Sequence, residues 1–310
     1  MRVIASRPFP GAAWEELDEA EYLDGSLPDG LGGERPGVEA LAVVGETIDE
    51  RTLELLPDLR VIANYGVGYD GIDVEACARR GVAVTNTPGV LDAATADLAM
   101  ALILASRRRL VEADAFVRAG KWETEWVATT LLGEEVSGAT LGIVGLGRIG
   151  RAVTQRAGAF GMRLLYTKRE RLPGDEEREL GVEFRDLDDL LGEADVVTLH
   201  VPLTSSTKGL VDARRIALLR DGACLVNTAR GEVVDEPALV EALTAGRIRA
   251  GLDVFADEPN VPRQLLGLPN VVLTPHLGSA TAQTREAMTR VLVGNLKAAA
   301  GGRPLPNQVI

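Results

Sequence analysis

The chain has 310 residues, of which 46% are hydrophobic, with two cysteines and a formal net charge of −13. This length fits two domains, and the composition is ordinary for a globular protein. The acidic charge argues against a nucleic-acid or anionic-membrane partner, and no apolar run approaches the roughly 18 residues of a membrane span. Any anionic ligand must therefore be attracted by local positive charge.

The first 90 residues alternate between strand-like and helix-like stretches. Residues 3–5 predict a strand, residues 12–22 a helix, and the stretch 25–37, rich in glycine and proline, a loop. Three further apolar runs predict strands, at 40–44, 60–64 and 83–86. Such alternation predicts a mostly parallel sheet.

The middle of the chain changes character. Residues 93–110 are rich in alanine and leucine and predict a long helix. Residues 120–137 include Trp122 and Trp126 but have no clear period, so we interpret them as an extended arm and a dimer contact.

A second α/β unit follows the arm. Helical stretches separate six predicted strands, at 140–144, 163–167, 196–200, 223–227, 250–254 and 271–274. Residues 282–300 predict a final amphipathic helix. The predicted fold class is α/β, with two Rossmann-like domains built on parallel sheets.

A glycine-rich turn opens the second unit. It has the sequence Gly145-Leu146-Gly147-Arg148-Ile149-Gly150, after an apolar strand and before a helical stretch. In this setting the spacing is typical of a dinucleotide-binding turn, in which backbone approaches a pyrophosphate and the helix N-terminus offers N–H groups. The alternative is an ordinary glycine-rich turn.

The end of the next predicted strand bears on the choice of cofactor. NAD-specific proteins often place a carboxylate here to bind the ribose 2′-hydroxyl, whereas this chain has Lys168 and Arg169, with Arg171 close behind. Lys and Arg attract a 2′-phosphate, so we favour NADP(H), with NAD(H) as the alternative. Glu170 weakens the argument, and a solvated basic turn without a ligand is the competing interpretation.

Three polar side chains follow predicted strands later in the chain. They are Arg230 in Asn-Thr-Ala-Arg-Gly, Glu258 in Asp-Glu-Pro, and His276 in Leu-Thr-Pro-His-Leu-Gly. Arginine binds a carboxylate through two hydrogen bonds, and histidine exchanges a proton near neutral pH. A neighbouring glutamate would fix the tautomer of the imidazole and raise its pKa. The set suits the reduction of a 2-keto acid. The other histidine, His200, is interpreted as structural or as lining an adenine pocket.

These motifs together resemble a known family. From Asn64 onward the chain is similar to the D-isomer-specific 2-hydroxyacid dehydrogenases, and most to their glyoxylate/hydroxypyruvate reductase branch. Besides the motifs above, the matching stretches are Asn64-Tyr-Gly-Val-Gly-Tyr-Asp70, Asn86-Thr-Pro-Gly-Val-Leu91, Ala94-Thr-Ala-Asp97 and His200-Val-Pro-Leu203.

The resemblance implies an organisation and a set of roles. Residues 1–98 and 283–310 would form a discontinuous substrate-binding domain, residues 99–282 the dinucleotide-binding domain, and the active site would lie in the cleft between them. Arg230, Glu258 and His276 would be catalytic, with the backbone of Val67 and Gly68 joining Arg230 on the substrate carboxylate. The implied cofactor-binding residues are Thr95, Gly145, Gly147, Arg148, Ile149, Gly150, Lys168, Arg169, Val201, Pro202, Thr207, Thr228, Asp253 and Gly278. No metal site is predicted.

The expected activity is reduction of a small 2-keto acid, glyoxylate or hydroxypyruvate, to the D-2-hydroxy acid by a cytoplasmic homodimer. The resemblance leaves one alternative of another class, a dinucleotide-responsive binding protein similar to the transcriptional corepressors of the superfamily. The complete Arg-Glu-His set favours the enzyme.

Overall fold

The computed structural model describes residues 1–17, 20–123 and 127–310. Trp126, one of the two tryptophans of the predicted arm, lies outside the described residues. The chain forms two compact units, Met1–Leu91 with Ser279–Ile310, and Asp92–Gly278. Each has its own parallel sheet, so the predicted α/β class with two parallel-sheet domains is confirmed.

The first unit contains a five-stranded sheet in the order β2-β1-β3-β4-β5, with every neighbouring pair parallel. Its strands and first helices are β1 (Arg2–Ala5), α1 (Ala12–Glu15), β2 (Ala20–Tyr22), β3 (Val38–Val43), α2 (Glu50–Glu54), β4 (Val61–Asn64), α3 (Val74–Arg80) and β5 (Ala83–Thr85). Strands β1, β3 and β4 are mostly buried because helices cover the sheet, which explains their apolar runs, whereas the edge strand β2 is half-exposed.

The predicted helix over 12–22 is wrong beyond its first turn. Helix α1 ends at Glu15, and Ala20–Tyr22 instead forms β2, parallel to β1 and in register with Val3–Ala5. Pairing with β1 overrides the helical preference of alanine and glutamate at this edge of the sheet.

The second unit contains a seven-stranded parallel sheet in the order β12-β11-β10-β9-β6-β7-β8. Its elements are α4 (Asp92–Arg107), α5 (Leu110–Arg118), β6 (Thr140–Val144), α6 (Arg148–Ala159), β7 (Arg163–Thr167), α7 (Gly174–Leu180), β8 (Val182–Phe184), α8 (Leu187–Glu193), β9 (Val196–Leu199), α9 (Ala213–Leu218), β10 (Cys224–Asn227), α10 (Glu236–Thr244), β11 (Arg249–Leu252) and β12 (Val271–Leu273). Two apolar clusters, one on each face of the sheet, form the core.

The predicted helix over 93–110 corresponds to α4, which ends at Arg107, and Leu110 already begins the separate helix α5. Arg109 adopts a left-handed backbone conformation (φ 53°) between α4 and α5, and its guanidinium pairs with Glu112 and donates to Leu132 O at 3.2 Å. The segment after α5 also bonds to the end of α4, because Glu134 N donates to Arg107 O at 2.8 Å. These contacts are distant in sequence, so helical periodicity alone could not reveal the break.

The final helix, α11 (Ala282–Ala300), packs in the first unit against α1 and β4. Tyr65 Oη, just after β4, donates to Arg285 O at 2.7 Å, and Thr289 Oγ1 donates to Pro10 O at 2.6 Å. Among the described residues, none of the helices combines the length and apolar character needed to cross a membrane.

Candidate active site

Apart from Thr95 of α4, the polar residues singled out in the second unit follow strands of one parallel sheet. Parallel strands present their carboxyl ends at a common edge, and ligands of such sheets bind at that edge. The turns after β6, β7, β9, β10, β11 and β12 therefore share one edge of the sheet.

The turn between β6 and α6 has the geometry of a phosphate loop. A side chain at Gly145 (φ 96°) would place its Cβ 2.6 Å from His200 O, so this position requires glycine. At Gly147, by contrast, a Cβ would meet no heavy atom within 4 Å, so this residue faces open space. Helix α6 begins at Arg148, directly after Gly147, and presents the free N–H groups of its first turn to that space.

The ends of β9 and β10 supply four further predicted cofactor positions. Val201 is half-buried and Pro202 exposed after β9, and Thr207 Oγ1 donates to Pro202 O and accepts from Thr204 N, closing a turn. After β10, Thr228 Oγ1 is buried and has no hydrogen-bond partner among the described residues. Buried hydroxyls are normally satisfied, so a bound ligand is a fitting partner for this one. Together with the open space at Gly147, this hydroxyl fits a dinucleotide at the edge.

Asp253, which follows β11, is the centre of a tight polar cluster. Its carboxylate accepts from Thr274 Oγ1 at 2.6 Å and from the amides of Leu277 and Gly278 at 2.7 and 2.8 Å. Burial raises the pKa of Asp253, outweighing the lowering by these donors and by the charge of His276. A Cβ on Gly278 would lie 3.5 Å from the buried Thr95 of α4, so three predicted cofactor positions come together here.

His276 is held by its backbone and by Glu258. Its backbone is left-handed (φ 54°), a conformation that costs a non-glycine residue about 1–3 kcal/mol and often marks a functional constraint. Nδ1 lies 2.7 Å from Glu258 Oε2, while the side chain remains 48% exposed. Because Nδ1 faces a carboxylate, Nε2 is the ring nitrogen left to exchange a proton with a ligand.

Glu258 is set up to remain ionised. Burial raises its pKa, but the hydrogen bond and positive charge of His276, the Phe255 amide and the charge of Arg230 together lower it below the usual value. The amide of Phe255 donates to its other oxygen at 3.1 Å. The carboxylate therefore serves as a fixed acceptor for the imidazole.

The chain around Arg230 is pinned at two points. Asn227, at the end of β10, donates to Arg230 O at 2.8 Å and accepts from Ala229 N at 3.0 Å. A Cβ on Gly231 would lie 2.0 Å from the Phe255 carbonyl carbon, so only glycine lets this loop pack on the chain leading to Glu258. This packing brings Arg230 and Glu258 near one another, which is why the positive charge of Arg230 helps to lower the pKa of Glu258.

The two substrate-loop residues lie in the other unit. Val67 and Gly68 follow β4 and are half-buried.

No group of three or more potential metal ligands occurs in the part of the chain that the structure describes.

Lys168 and Arg169 follow β7, and neither forms an ion pair with a described residue. Arg171 is different, because its guanidinium binds both oxygens of Glu177 at 2.8 Å. Tyr166 Oη donates to the same carboxylate at 2.7 Å and accepts from the Leu172 amide at 2.9 Å. Arg171 therefore braces the turn, and only the first two cations are available to a ligand.

The contacts of Glu177 with Arg171 and Tyr166 predict that the stability of the fold depends on pH. Arg171 and then Tyr166 lower the pKa of Glu177 from 4.5 to about 2. A carboxyl whose folded pKa is depressed stabilises the fold above its unfolded pKa, and this contribution is lost as the pH falls toward 2. Glu177→Gln should therefore lower the melting temperature at pH 7, and the difference from the parent should shrink at pH 3.

The neighbouring Glu176, paired with Arg151 at 2.7 Å and 35% exposed, provides the control, because Glu176→Gln should change the melting temperature little. An equal difference between the Glu177 variant and the parent at both pH values would contradict the prediction.

Some members of this site were not singled out in the sequence. Thr274 and the Leu277 amide hold Asp253, and Asn227 holds the Arg230 loop. All three residues lie inside the sequence motifs of His276 and Arg230, and membership of those motifs is the one feature of the sequence that indicates a role for them.

Comparison with known proteins gives a consistent result. The NAD-binding domain of the D-isomer specific 2-hydroxyacid dehydrogenases matches residues 100–278. A glyoxylate reductase from Thermococcus litoralis is 50% identical over 277 residues, covering 88% of this chain and 83% of the relative.

Solved structures agree with this match. A protein from Thermus thermophilus is 46% identical with a TM-score of 0.91, covering both chains completely. An NADPH-dependent glyoxylate/hydroxypyruvate reductase from Sinorhizobium meliloti, in complex with NADP and malonate, is 37% identical with a TM-score of 0.88, covering 99% of this chain and 96% of that one. The chain belongs to the D-isomer specific 2-hydroxyacid dehydrogenase family and is a nicotinamide-dinucleotide-dependent oxidoreductase.

Proposed function

We propose that this protein reduces glyoxylate or hydroxypyruvate to the D-2-hydroxy acid and prefers NADPH to NADH. The observation that carries the proposal is the 2.7 Å contact between His276 Nδ1 and Glu258 Oε2, together with the charge of Arg230, which helps to lower the pKa of Glu258. Relatives named glyoxylate reductase and glyoxylate/hydroxypyruvate reductase support the substrate class.

His276 is the general acid in this proposal. When bound, the reduced nicotinamide supplies the hydride that reaches the keto carbon. His276 Nε2 gives its proton to the carbonyl oxygen, and the ring keeps the hydrogen bond from Nδ1 to Glu258. Ionised Glu258 stabilises the imidazolium before transfer and holds the ring in one orientation afterwards.

Arg230 and the 66–68 loop bind the substrate carboxylate. A guanidinium can bind a carboxylate through two hydrogen bonds and can also stabilise charge on a carbonyl oxygen, and we assign this role to Arg230, whose Nη1 also donates to Ala229 O at 2.8 Å. The backbone N–H groups of Val67 and Gly68 add donors that carry no net charge. These groups supply local attraction for an anion on a chain whose net charge is −13.

The cofactor would be held by groups along the edge of the second sheet. The first turn of α6 suits the pyrophosphate, Thr228 Oγ1 supplies an unsatisfied hydroxyl, and Asp253 retains acceptor capacity for an amide. Lys168 and Arg169 are the cations suited to a 2′-phosphate. The relative in complex with NADP supports a nicotinamide dinucleotide at this edge.

The substrate proposal is tested by an initial-rate panel that follows loss of NADPH absorbance. We expect glyoxylate and hydroxypyruvate to give the highest kcat/KM, ahead of pyruvate and phenylpyruvate. Higher kcat/KM for phenylpyruvate than for both small acids would reject a small-substrate site.

We also propose a homodimer formed through α5 and the segment after it. No residue of α5 is buried, which is unusual for a helix with this many apolar side chains. Six apolar side chains of this surface are at least 50% exposed, namely Leu110, Val111, Val117, Trp122, Val127 and Leu132. An exposed apolar surface of this kind favours a second copy, and two-fold symmetry is the commonest arrangement.

The dimer is tested by sedimentation at micromolar concentration. The parent should sediment as a dimer, and Val111→Glu with Val117→Glu should shift it to the monomer, because two desolvated carboxylates would oppose association. Leu218→Glu replaces an exposed apolar residue of α9 and should leave the dimer intact. A monomeric parent would contradict the proposal.

We expect the protein in the cytoplasm. Its two cysteines, Cys77 and Cys224, are both buried and unpaired. Burial raises the pKa of the Cys77 thiol to about 11, which leaves it unreactive. Free thiols of this kind are typical of a reducing compartment.

A further inference from the structure

Hydrogen bonds to its carbonyl oxygens hold the backbone of the 66–68 loop in place. Asn64, the last residue of β4, donates through Nδ2 to Gly68 O at 2.8 Å and to Gly66 O at 3.3 Å. Both acceptors are carbonyls, so the orientation of this amide is fixed, with its NH₂ group toward the loop. The side chain is 6% exposed and therefore anchored in the sheet.

A second asparagine acts from the neighbouring strand. Asn86 follows β5 directly and donates through Nδ2 to Val67 O at 3.0 Å. The next residue, Thr87, donates its backbone N–H to Gly66 O at 3.0 Å. All three carbonyls of the loop are thus occupied by donors from the ends of β4 and β5.

These bonds determine where the loop N–H groups point. In a trans peptide the C=O and the following N–H point in opposite directions. Holding Gly66 O fixes the Val67 N–H, and holding Val67 O fixes the Gly68 N–H. Across the described residues, neither N–H has a protein acceptor, and both residues are half-exposed.

We propose that Asn64 and Asn86 are positioning residues that aim the N–H groups of Val67 and Gly68 at the substrate carboxylate. The inference rests on the proposed function, because it concerns the same substrate. Asn86 contributes more than Asn64 to the orientation of the Gly68 N–H, because Asn86 is the one donor to Val67 O in the described chain. Without it, the Val67–Gly68 peptide can rotate and turn a carbonyl oxygen toward the anion.

The expected effect is on substrate binding. A hydrogen bond to a charged group is worth about tenfold to a hundredfold in affinity. Asn86→Ala should therefore raise the KM for glyoxylate by about this factor, with kcat at saturation within about threefold of the parent. The affinity for NADPH, measured by fluorescence titration, should not change, because its proposed site is in the other unit.

A matched control separates this role from a general loss of stability. Asn270, in the second unit, also donates through Nδ2 to two backbone carbonyls, Leu243 O at 2.9 Å and Ile248 O at 2.8 Å. Asn270→Ala removes equivalent bonds and should leave the KM for glyoxylate unchanged. Thermal melting of all three proteins monitors folding.

The outcomes are distinct. A parent that reduces no keto acid would reject the proposed function. An active parent with an unchanged KM in Asn86→Ala, or with the same rise in Asn270→Ala, would reject the positioning role alone. If Asn86→Ala loses its melting transition, Asn64→Ala is judged by the same KM criterion, with a rise supporting the role and an unchanged KM rejecting it.

Discussion

Replacing His276 with alanine should lower kcat for keto-acid reduction by about 10²–10⁴-fold, the usual contribution of a general acid. The side chain is 48% exposed and held at Nδ1 by Glu258, so the substitution removes the proposed proton donor and leaves its surroundings in place. The melting temperature should change little, because the side chain is half-exposed and its loss leaves no cavity in the core. Affinity for NADPH should also be retained.

Two further measurements make this test specific. Added imidazole should partly restore activity to His276→Ala, since it can enter the exposed position and supply the proton. Glu258→Gln should cause a smaller loss, because the ring loses its carboxylate partner and keeps its own proton-donating nitrogen. Near-parental kcat in His276→Ala would remove His276 from the mechanism.

The double substitution Lys168→Asp with Arg169→Ala should weaken NADPH binding by about one to three powers of ten. Each charge-assisted bond to the 2′-phosphate is worth about 1.5–3 kcal/mol when well formed, and less at an exposed position such as that of Arg169. NADH binding should stay similar or improve, because the introduced carboxylate could accept from the 2′-hydroxyl. Fluorescence titration of both nucleotides measures the change.

Arg178→Asp is the control for long-range charge. Arg178 is an exposed cation of α7, and its replacement by aspartate lowers the net charge by about two units, against about three for the double substitution. NADPH affinity should fall much less in this variant, because only the double substitution removes the proposed contacts with the 2′-phosphate. A parent that binds NADH as tightly as NADPH would show that Lys168 and Arg169 form only a solvated turn.

The sheet strands could be predicted because both sheets are parallel and covered on both faces. Buried parallel strands have continuous apolar runs, and the runs at 140–144 and 163–167 coincide with β6 and β7. Strand β8 was missed because it has three residues and pairs only with β7 at the edge of the sheet. Such a short strand depends on its neighbour, so its own sequence has little signal.

The candidate site, like the strands, could be predicted from the sequence only in part. Motif order suggested that His276 and Glu258 meet, and their side chains lie 2.7 Å apart. The bonds from Asn64 and Asn86 to the 66–68 loop were not foreseen. They depend on the orientation of individual peptide planes, which a glycine-rich sequence does not specify.

The most direct test of the account is conversion of hydroxypyruvate by the parent protein with excess NADPH, followed by chiral analysis of the product. We predict one D-glycerate formed for each NADPH oxidised. Formation of L-glycerate, or no NADPH oxidation with either hydroxypyruvate or glyoxylate, would contradict it.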